Sequence, residues 1–410
     1  MSGASGPIRP TPPRRPPPHR YPPAVYFRRR LAVGLSIALL VAVIVGLVTL
    51  VGGGKGTTGT TTTTTTTRST TSTAATGKHA GIGMRTVVWV DDNPNAGGVS
   101  SPLPNGHVGP RKLVTEIWYP ALGASSSQPT VRARPDYGRG PFPVVVFAHG
   151  FDTLPTTYTP LLASWVNAGY VVVAPLFPDE NADLISSLGD ATTEQLSTAE
   201  SDIVNEPYDI AYVVGEVESG ATGAASSGAP WLKGLVEPGK FALAGHSDGA
   251  QAVAALVYAQ RQGELYATTY AALPAHPFAV IILSGSELSG SYAAPAAAPP
   301  LLFVQSAVDE CNLPSNAVTL LHDAGGGFFL KLLEANHFGP YVGKGRAAGI
   351  VEKTTVAFLN AAQSGTPSAS ELTSYLTPPG VAVLYAPGQT PVVPTVTPTP
   401  AEETQACSDR

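Results

Sequence analysis

The sequence predicts an α/β domain built on a mostly parallel, doubly wound sheet and preceded by a single transmembrane helix. Three observations predict it. Short apolar runs rich in β-branched residues recur between about Gly81 and Tyr385. Longer segments of helical or loop character separate them, the alternation that feeds right-handed crossovers between parallel strands. Ahead of them lie 21 uncharged residues, Leu31 to Val51.

The first thirty residues hold nine prolines and seven arginines and no acidic residue. Such a composition buries too little to fold, so 1–30 reads as an extended, solvated tail. Leu31 to Val51 rises about 1.5 Å per residue as a helix, enough for a hydrocarbon layer of about 30 Å. Arg28, Arg29 and Arg30 flank one side and only Lys55 the other, which puts the N-terminus in the cytoplasm and the rest of the chain outside. The competing reading is a cleaved secretory signal, whose apolar region runs only about 7 to 15 residues. Residues 52–80 include an unbroken threonine run from Thr60 to Thr67 and read as a linker or stalk.

The 410-residue chain has 43 glycines and 40 prolines, the prolines enriched at its two ends, yet 43% of its residues are hydrophobic. That leaves material for one core of roughly 300 residues and excludes a wholly disordered protein. The net charge is -5, and without the arginine-rich tail the balance is more acidic still. This excludes a nucleic-acid-binding main domain.

Within the folded region, 81–385, Thr86 to Val90 and Leu113 to Tyr119 read as early strands around a loop rich in Gly, Pro and Asn. Pro143 to Ala148 and Tyr170 to Ala174 are near-continuous apolar runs, the mark of strands buried on both faces. A helix from about Tyr158 to Ala168 crosses between them. Phe241 to Ala244 is the next strand, followed at once by a helix from Gly249 to about Arg261. Phe278 to Leu283, Leu301 to Gln305 and Phe328 to Glu334 supply three more strands. Helices are expected at about Ser315 to Asp323 and Gly349 to Ala362. Residues 386–410 form a Pro/Thr-rich tail. Ligands of such a sheet bind beyond the carboxyl ends of its strands, so function is sought just after each one.

Gly245-His246-Ser247-Asp248-Gly249 matches G-x-S-x-G between a strand and a helix. Gly245 and Gly249 permit the tight turn that holds the serine side chain out as a nucleophile. A serine hydroxyl needs a base, and the base an acid to hold it, so an Asp or Glu and then a His are expected downstream. Asp309 ends L-L-F-V-Q-S-A-V-D, and His337 follows the next strand in E-A-N-H-F. His322 competes as base but sits in the helical stretch A-V-T-L-L-H-D. Glu310 and Glu287 compete with Asp309, Glu287 because it follows the preceding strand. His246 is expected to turn away from the reacting face and pack.

The oxyanion of a tetrahedral intermediate needs donors, each worth about 2.7 to 4 kcal/mol when removed. The backbone N–H of Asp248 is one. The other is the N–H of Phe151, aimed by the turn at His149-Gly150 after P-V-V-V-F-A. Cys311 and Cys407 face a disulfide-permissive compartment; a bridge between them would pin the C-terminal tail to the domain, and two unpaired thiols are the alternative. Eight scattered histidines and two distant cysteines give no metal spacing. Gly325-Gly326-Gly327 lacks the Lys-Ser/Thr of a phosphate loop and reads as a turn, so no cofactor is expected.

Together these residues resemble the α/β-hydrolase superfamily. More narrowly, they resemble its platelet-activating factor acetylhydrolase-like, chlorophyllase-like and dienelactone-hydrolase-like esterases. The resemblance spans about Leu113 to Ala362 and rests on I-W-Y-P at Ile117 to Pro120, F-A-H-G-F at Phe147 to Phe151 and D-I-V-N-E-P at Asp202 to Pro207. The elbow at Ser247 and the surroundings of Asp309 and His337 complete it. It implies an α/β-hydrolase fold and a carboxylic-ester hydrolase in which Ser247 is nucleophile, His337 base and acid, and Asp309 the orienting acid. Actinobacterial polyester hydrolases and cutinases share much of the pattern but usually lack the H-G pair.

Only Ser284 to Pro300 separates two of the strands, too little for a large lid. Asn181 to Val204 is the candidate cover, with an exposed surface helix as its plainer identity. The leading expectation is a membrane-anchored extracytoplasmic serine esterase acting on small-molecule or lipid esters, with no nucleic-acid partner. A cell-envelope acyltransferase would use the same triad. A non-catalytic surface binding module on the same fold is the third reading.

Overall fold

The computed structural model describes residues 81–92, 110–124, 126–259, 265–288 and 291–396. The chain divides into Met1–Ala74 and Ala75–Arg410. The expected tail 1–30, membrane helix 31–51 and linker 52–80 lie outside the described residues, as does Cys407. Among the described residues no helix is long and apolar enough to cross a membrane.

Among the described residues ten strands form one sheet. They are β1 (Gly81–Asp91), β2 (Arg111–Ala121), β3 (Thr130–Val131), β4 (Phe142–Ala148), β5 (Val171–Leu176), β6 (Val236–His246), β7 (Val280–Leu283), β8 (Leu301–Ser306), β9 (Phe328–Leu332) and β10 (Ala382–Tyr385). Their order across the sheet is β10-β9-β8-β7-β6-β4-β5-β2-β1-β3. From β5 through β4 to β9 every neighbour pairs parallel. β2 joins β5 antiparallel and forms a hairpin with β1, and β10 closes the far edge antiparallel to β9. This mostly parallel arrangement is consistent with the α/β-hydrolase fold that the order of motifs implied.

The helices are α1 (Thr159–Asn167), α2 (Ala182–Ser187), α3 (Thr193–Glu200), α4 (Glu206–Thr222), α5 (Asp248–Tyr258), α6 (Leu265–Ala271), α7 (Pro314–Asp323), α8 (Ala348–Ser364) and α9 (Ala369–Thr373). They cover both faces of the sheet, which is why the strands read as unbroken apolar runs. In β4, Val144 and Val146 pack with Ile210 and Val213 of α4 and Val253 of α5. Their neighbours Val145 and Phe147 point the other way, into a core with Leu161 and Trp165 of α1 and Phe358 of α8. Trp165 Nε1 also donates to Thr355 Oγ1 at 3.0 Å, tying α1 to α8.

Local chemistry explains the helix ends. Thr192 and Gln195 form a capping box at the start of α3, Gln195 N donating to Thr192 Oγ1 at 3.2 Å and Thr192 N to Gln195 Oε1 at 2.8 Å. α4 ends on Gly223, whose φ of 88° is the left-handed conformation that glycine adopts without strain. The region Asn181 to Val204 is two short helices and a 3₁₀ turn (Ser201–Val204) rather than one surface helix. β3, α4, α6, α9 and β10 were not anticipated from the sequence.

Candidate active site

β6 passes straight into α5 through Ser247, whose φ and ψ are 54° and -119°. A non-glycine residue in such a region costs of order 1–3 kcal/mol and persists only where its surroundings impose it. The glycines on either side show how. An ideal Cβ on Gly245 would stand 2.3 Å from Gly249 O, and one on Gly249 would stand 2.4 Å from both Ala148 O and His149 O. Strand, helix and the neighbouring β4 end therefore meet backbone to backbone. Ser247 N donates to Leu283 O at 3.0 Å, and Gln251 N donates to Ser247 O at 2.9 Å to open α5.

The structure brings Ser247, His337 and Asp309 together. His337 Nε2 lies 2.9 Å from Ser247 Oγ across 90 residues of sequence. Its Nδ1 lies 2.9 and 3.0 Å from the two carboxylate oxygens of Asp309. A carboxylate only accepts, so Nδ1 carries the proton and Nε2 presents a lone pair to the serine hydroxyl. All three residues are buried.

Asp309 is held by more than the histidine. Its Oδ1 accepts from the amides of Cys311 at 3.0 Å and Asn312 at 2.9 Å, and its Oδ2 from Gln305 Nε2 at 3.0 Å. Gln305 was missed by sequence reading, although a polar residue inside the buried run L-L-F-V-Q-S was the available signal. The His337 loop is fixed by Ser306 Oγ, which donates to Asn336 O at 2.8 Å, and by Gly339 N, which donates to Asn336 Oδ1 at 2.8 Å.

The loop after β4 lies against the elbow. A Cβ on Gly150 would stand 3.0 Å from Ser247 Cβ and 3.2 Å from His246 O. His149 is wholly buried: Phe177 N donates to its Nε2 at 3.0 Å, which leaves Nδ1–H to donate to Gly150 O at 2.9 Å. Burial pushes its pKa down to about 4. Asp152, with φ of 53°, donates its N–H to Glu180 O at 2.8 Å. Phe151 follows Gly150 in the loop packed against the elbow, and Asp248 is the first residue of α5, directly after Ser247.

Behind this loop lies a buried acidic cluster that sequence reading did not assemble. Arg111, at the start of β2, donates to Asp209 from Nε at 2.8 Å and Nη2 at 2.6 Å. It also donates to Asp202 from Nη1 at 2.9 Å and Nη2 at 2.7 Å, and to Asp179 from Nη1 at 3.4 Å. Burial outweighs the cation for two of the acids, pushing Asp179 up to about 7 and Asp209 to about 6. Glu180 and Glu206 are wholly buried, and burial holds both well above the carboxylate range. Asp202 to Pro207, noticed as a motif, thus supplies Asp202 to the arginine and Glu206 to the carboxyl pair.

The competing site residues fall elsewhere. His322 is exposed on α7 and pairs with Asp323. Glu287 also faces Asp323, and Glu310 is exposed. His246 is buried with its ring against Phe338 and Tyr341, and both of its ring nitrogens are hydrogen-bonded as well, which sequence reading did not foresee. Cys311 is disulfide-bonded; Cys407, its expected partner, lies outside the described residues. Among the described residues, the group of potential metal ligands that converges is Asp309, Cys311 and His337. Its sulfur is in a disulfide and its other two members are bonded to each other, so the donor set does not suit a resident ion.

No family model matches the chain, and no curated protein sequence matches it. Among solved structures, a ferulic acid esterase from Streptomyces cinnamoneus is similar over 72% of this chain and 94% of its own, at 18% sequence identity and a TM-score of 0.49.

Proposed function

We propose that the chain is a serine esterase that hydrolyses carboxylic esters through an acyl-enzyme. The observation that carries this reading is the line from Ser247 Oγ to His337 Nε2 at 2.9 Å and from Nδ1 to Asp309 at 2.9 and 3.0 Å. Ser247 Oγ attacks the ester carbonyl carbon while His337 Nε2 takes its proton. The negative oxygen of the tetrahedral intermediate accepts from the Phe151 and Asp248 amides. Collapse breaks the bond to the alcohol oxygen, which receives the proton from His337 and leaves. Water, deprotonated by His337, then attacks acyl-Ser247, and the acid departs as the serine is reprotonated.

The motifs at Ile117 to Pro120, Phe147 to Phe151 and around Ser247 support placement near the platelet-activating factor acetylhydrolase-like, chlorophyllase-like and dienelactone-hydrolase-like esterases, with small-molecule or lipid esters as substrates. Anchoring through Leu31 to Val51, with the N-terminus cytoplasmic and the catalytic domain outside, belongs to the same proposal. It rests on the length of that uncharged run and the three arginines before it.

The test is hydrolysis of p-nitrophenyl esters of graded acyl length by the full chain in detergent, beside labelling by a fluorophosphonate. Wild type turns over and labels, and Ser247→Ala loses the label and about 10⁴-fold or more in kcat. Folded wild-type protein that neither turns over nor labels would return the chain to the binding-module reading.

A further inference from the structure

The two loops that the reaction must hold in register are joined by side chains that the triad does not use. Gly150 N, in the oxyanion loop, donates to Tyr158 Oη at 3.2 Å. Tyr158 Oη lies 2.9 Å from His246 Nδ1, and His246 Nε2 lies 3.0 Å from the main-chain carbonyl oxygen of His337. The direction of each bond follows from its ends. A carbonyl only accepts, so His246 carries its proton on Nε2. Nδ1 of a neutral ring then accepts, and Tyr158, whose oxygen already receives the Gly150 proton, donates to it. A directed chain therefore runs from the Gly150 amide through Tyr158 and His246 to the backbone of His337.

Both side chains are buried and clamped by rings. Tyr158 meets Phe147 edge-on with centroids 4.8 Å apart. The His246 ring stands 4.9 Å from that of His337 and 4.7 Å from that of Tyr341. With no freedom to swing, each transmits position from one loop to the other.

We propose that Tyr158 and His246 are a positioning pair that fixes the oxyanion loop relative to His337, and so governs acyl transfer rather than substrate binding. This rests on the serine-esterase reading above. Neither residue touches the reacting atoms. Misplacing a donor or base by a fraction of an ångström lowers the rate of the chemical step while leaving remote substrate contacts intact.

The experiment is stopped-flow hydrolysis of a p-nitrophenyl ester by the full chain, comparing wild type with Tyr158→Phe and His246→Gln. Tyr158→Phe keeps the ring and removes only the hydroxyl. His246→Gln keeps an amide donor for the His337 carbonyl and loses the acceptor for Tyr158. The expected result for both is a burst of full amplitude, a burst rate lowered about 10- to 100-fold, and a KM within about twofold of wild type. Affinity for an alkyl boronic acid, which imitates the tetrahedral intermediate, falls in step with the burst rate.

A merely structural role would instead reduce burst amplitude, the count of competent sites, and leave the rate per site unchanged. That result, or wild-type burst rates in both variants, overturns the positioning proposal alone. Wild-type protein that shows no burst and no fluorophosphonate label overturns the esterase reading and the pair with it. If Tyr158→Phe does not fold, His246→Gln carries the same decision.

Discussion

Asp309 meets the His337 ring with both carboxylate oxygens, at 2.9 and 3.0 Å from Nδ1, while also accepting two backbone amides and the Gln305 side chain. An acceptor held this firmly dictates the histidine tautomer. Asp309→Asn keeps the shape but offers an NH₂ group, which favours a proton on Nε2 and leaves nothing to receive the Ser247 hydroxyl proton. The expected outcome is a fall in kcat of about 10⁴-fold with little change in KM, measured by steady-state hydrolysis. A loss below tenfold would mean that Asp309 does not orient the base.

The elbow glycines predict a contrast in stability. Gly249→Ala drives a Cβ into the carbonyl oxygens of Ala148 and His149, neither of which can yield without moving β4. It is expected to cost about 3 kcal/mol or more. Gly215→Ala, on α4 with nothing within 4 Å of the added carbon, is expected to gain about 0.4–1 kcal/mol. Thermal melts of the two variants beside wild type make the comparison.

Arg111 is one cation among three buried aspartates. Arg111→Met leaves those charges uncompensated and is expected to cost about 3–5 kcal/mol. Asp179 makes the longest of the contacts, 3.4 Å, and its pKa is pushed up to about 7, by burial first and then by Asp202. A raised carboxyl pKa stabilises the fold fully below the unfolded value, near 4, and that stabilisation is lost as pH rises through about 7. Asp179→Asn removes this loss. Its melting temperature is therefore expected to match wild type near pH 4 and to exceed it near pH 8.

His149 gives the opposite slope. Its neutral ring accepts from Phe177 N, and burial lowers its pKa to about 4 from the ordinary 6.5. The associated stability is present above pH 6.5 and is lost as pH falls through about 4, where a protonated ring would set two donors against each other. His149→Gln lacks this titration. Its melting temperature is expected to fall less than that of wild type between pH 7 and pH 4.

Much of this was legible in the sequence, and the unread parts have identifiable causes. β4, β5, Phe241 to Ala244 of β6 and Leu301 to Val304 of β8 were evident because both faces are buried there and the run is apolar. α4 has buried Ile210, Val213, Val214 and Val217 at helical spacing, but Pro207, Gly215 and Gly220 interrupt the composition and the helix went unread. β10 is an edge strand of four half-buried or exposed residues, and its antiparallel pairing with β9 leaves no local pattern to detect.

By itself the sequence determined the α/β alternation, the elbow at Ser247 and the order Ser247, Asp309, His337. Each of these is a local matter of apolar runs, turn glycines and residues placed just after strands. Tertiary structure alone decided which groups meet across the chain. Arg111 finds its three aspartates 68 to 98 residues away, and His246 turns its ring to Tyr158 and to the carbonyl of His337, 88 and 91 residues distant. Those choices follow from the order of strands in the sheet, which brings distant loops to one edge, and from burial, which favours a partner for a polar group delivered there.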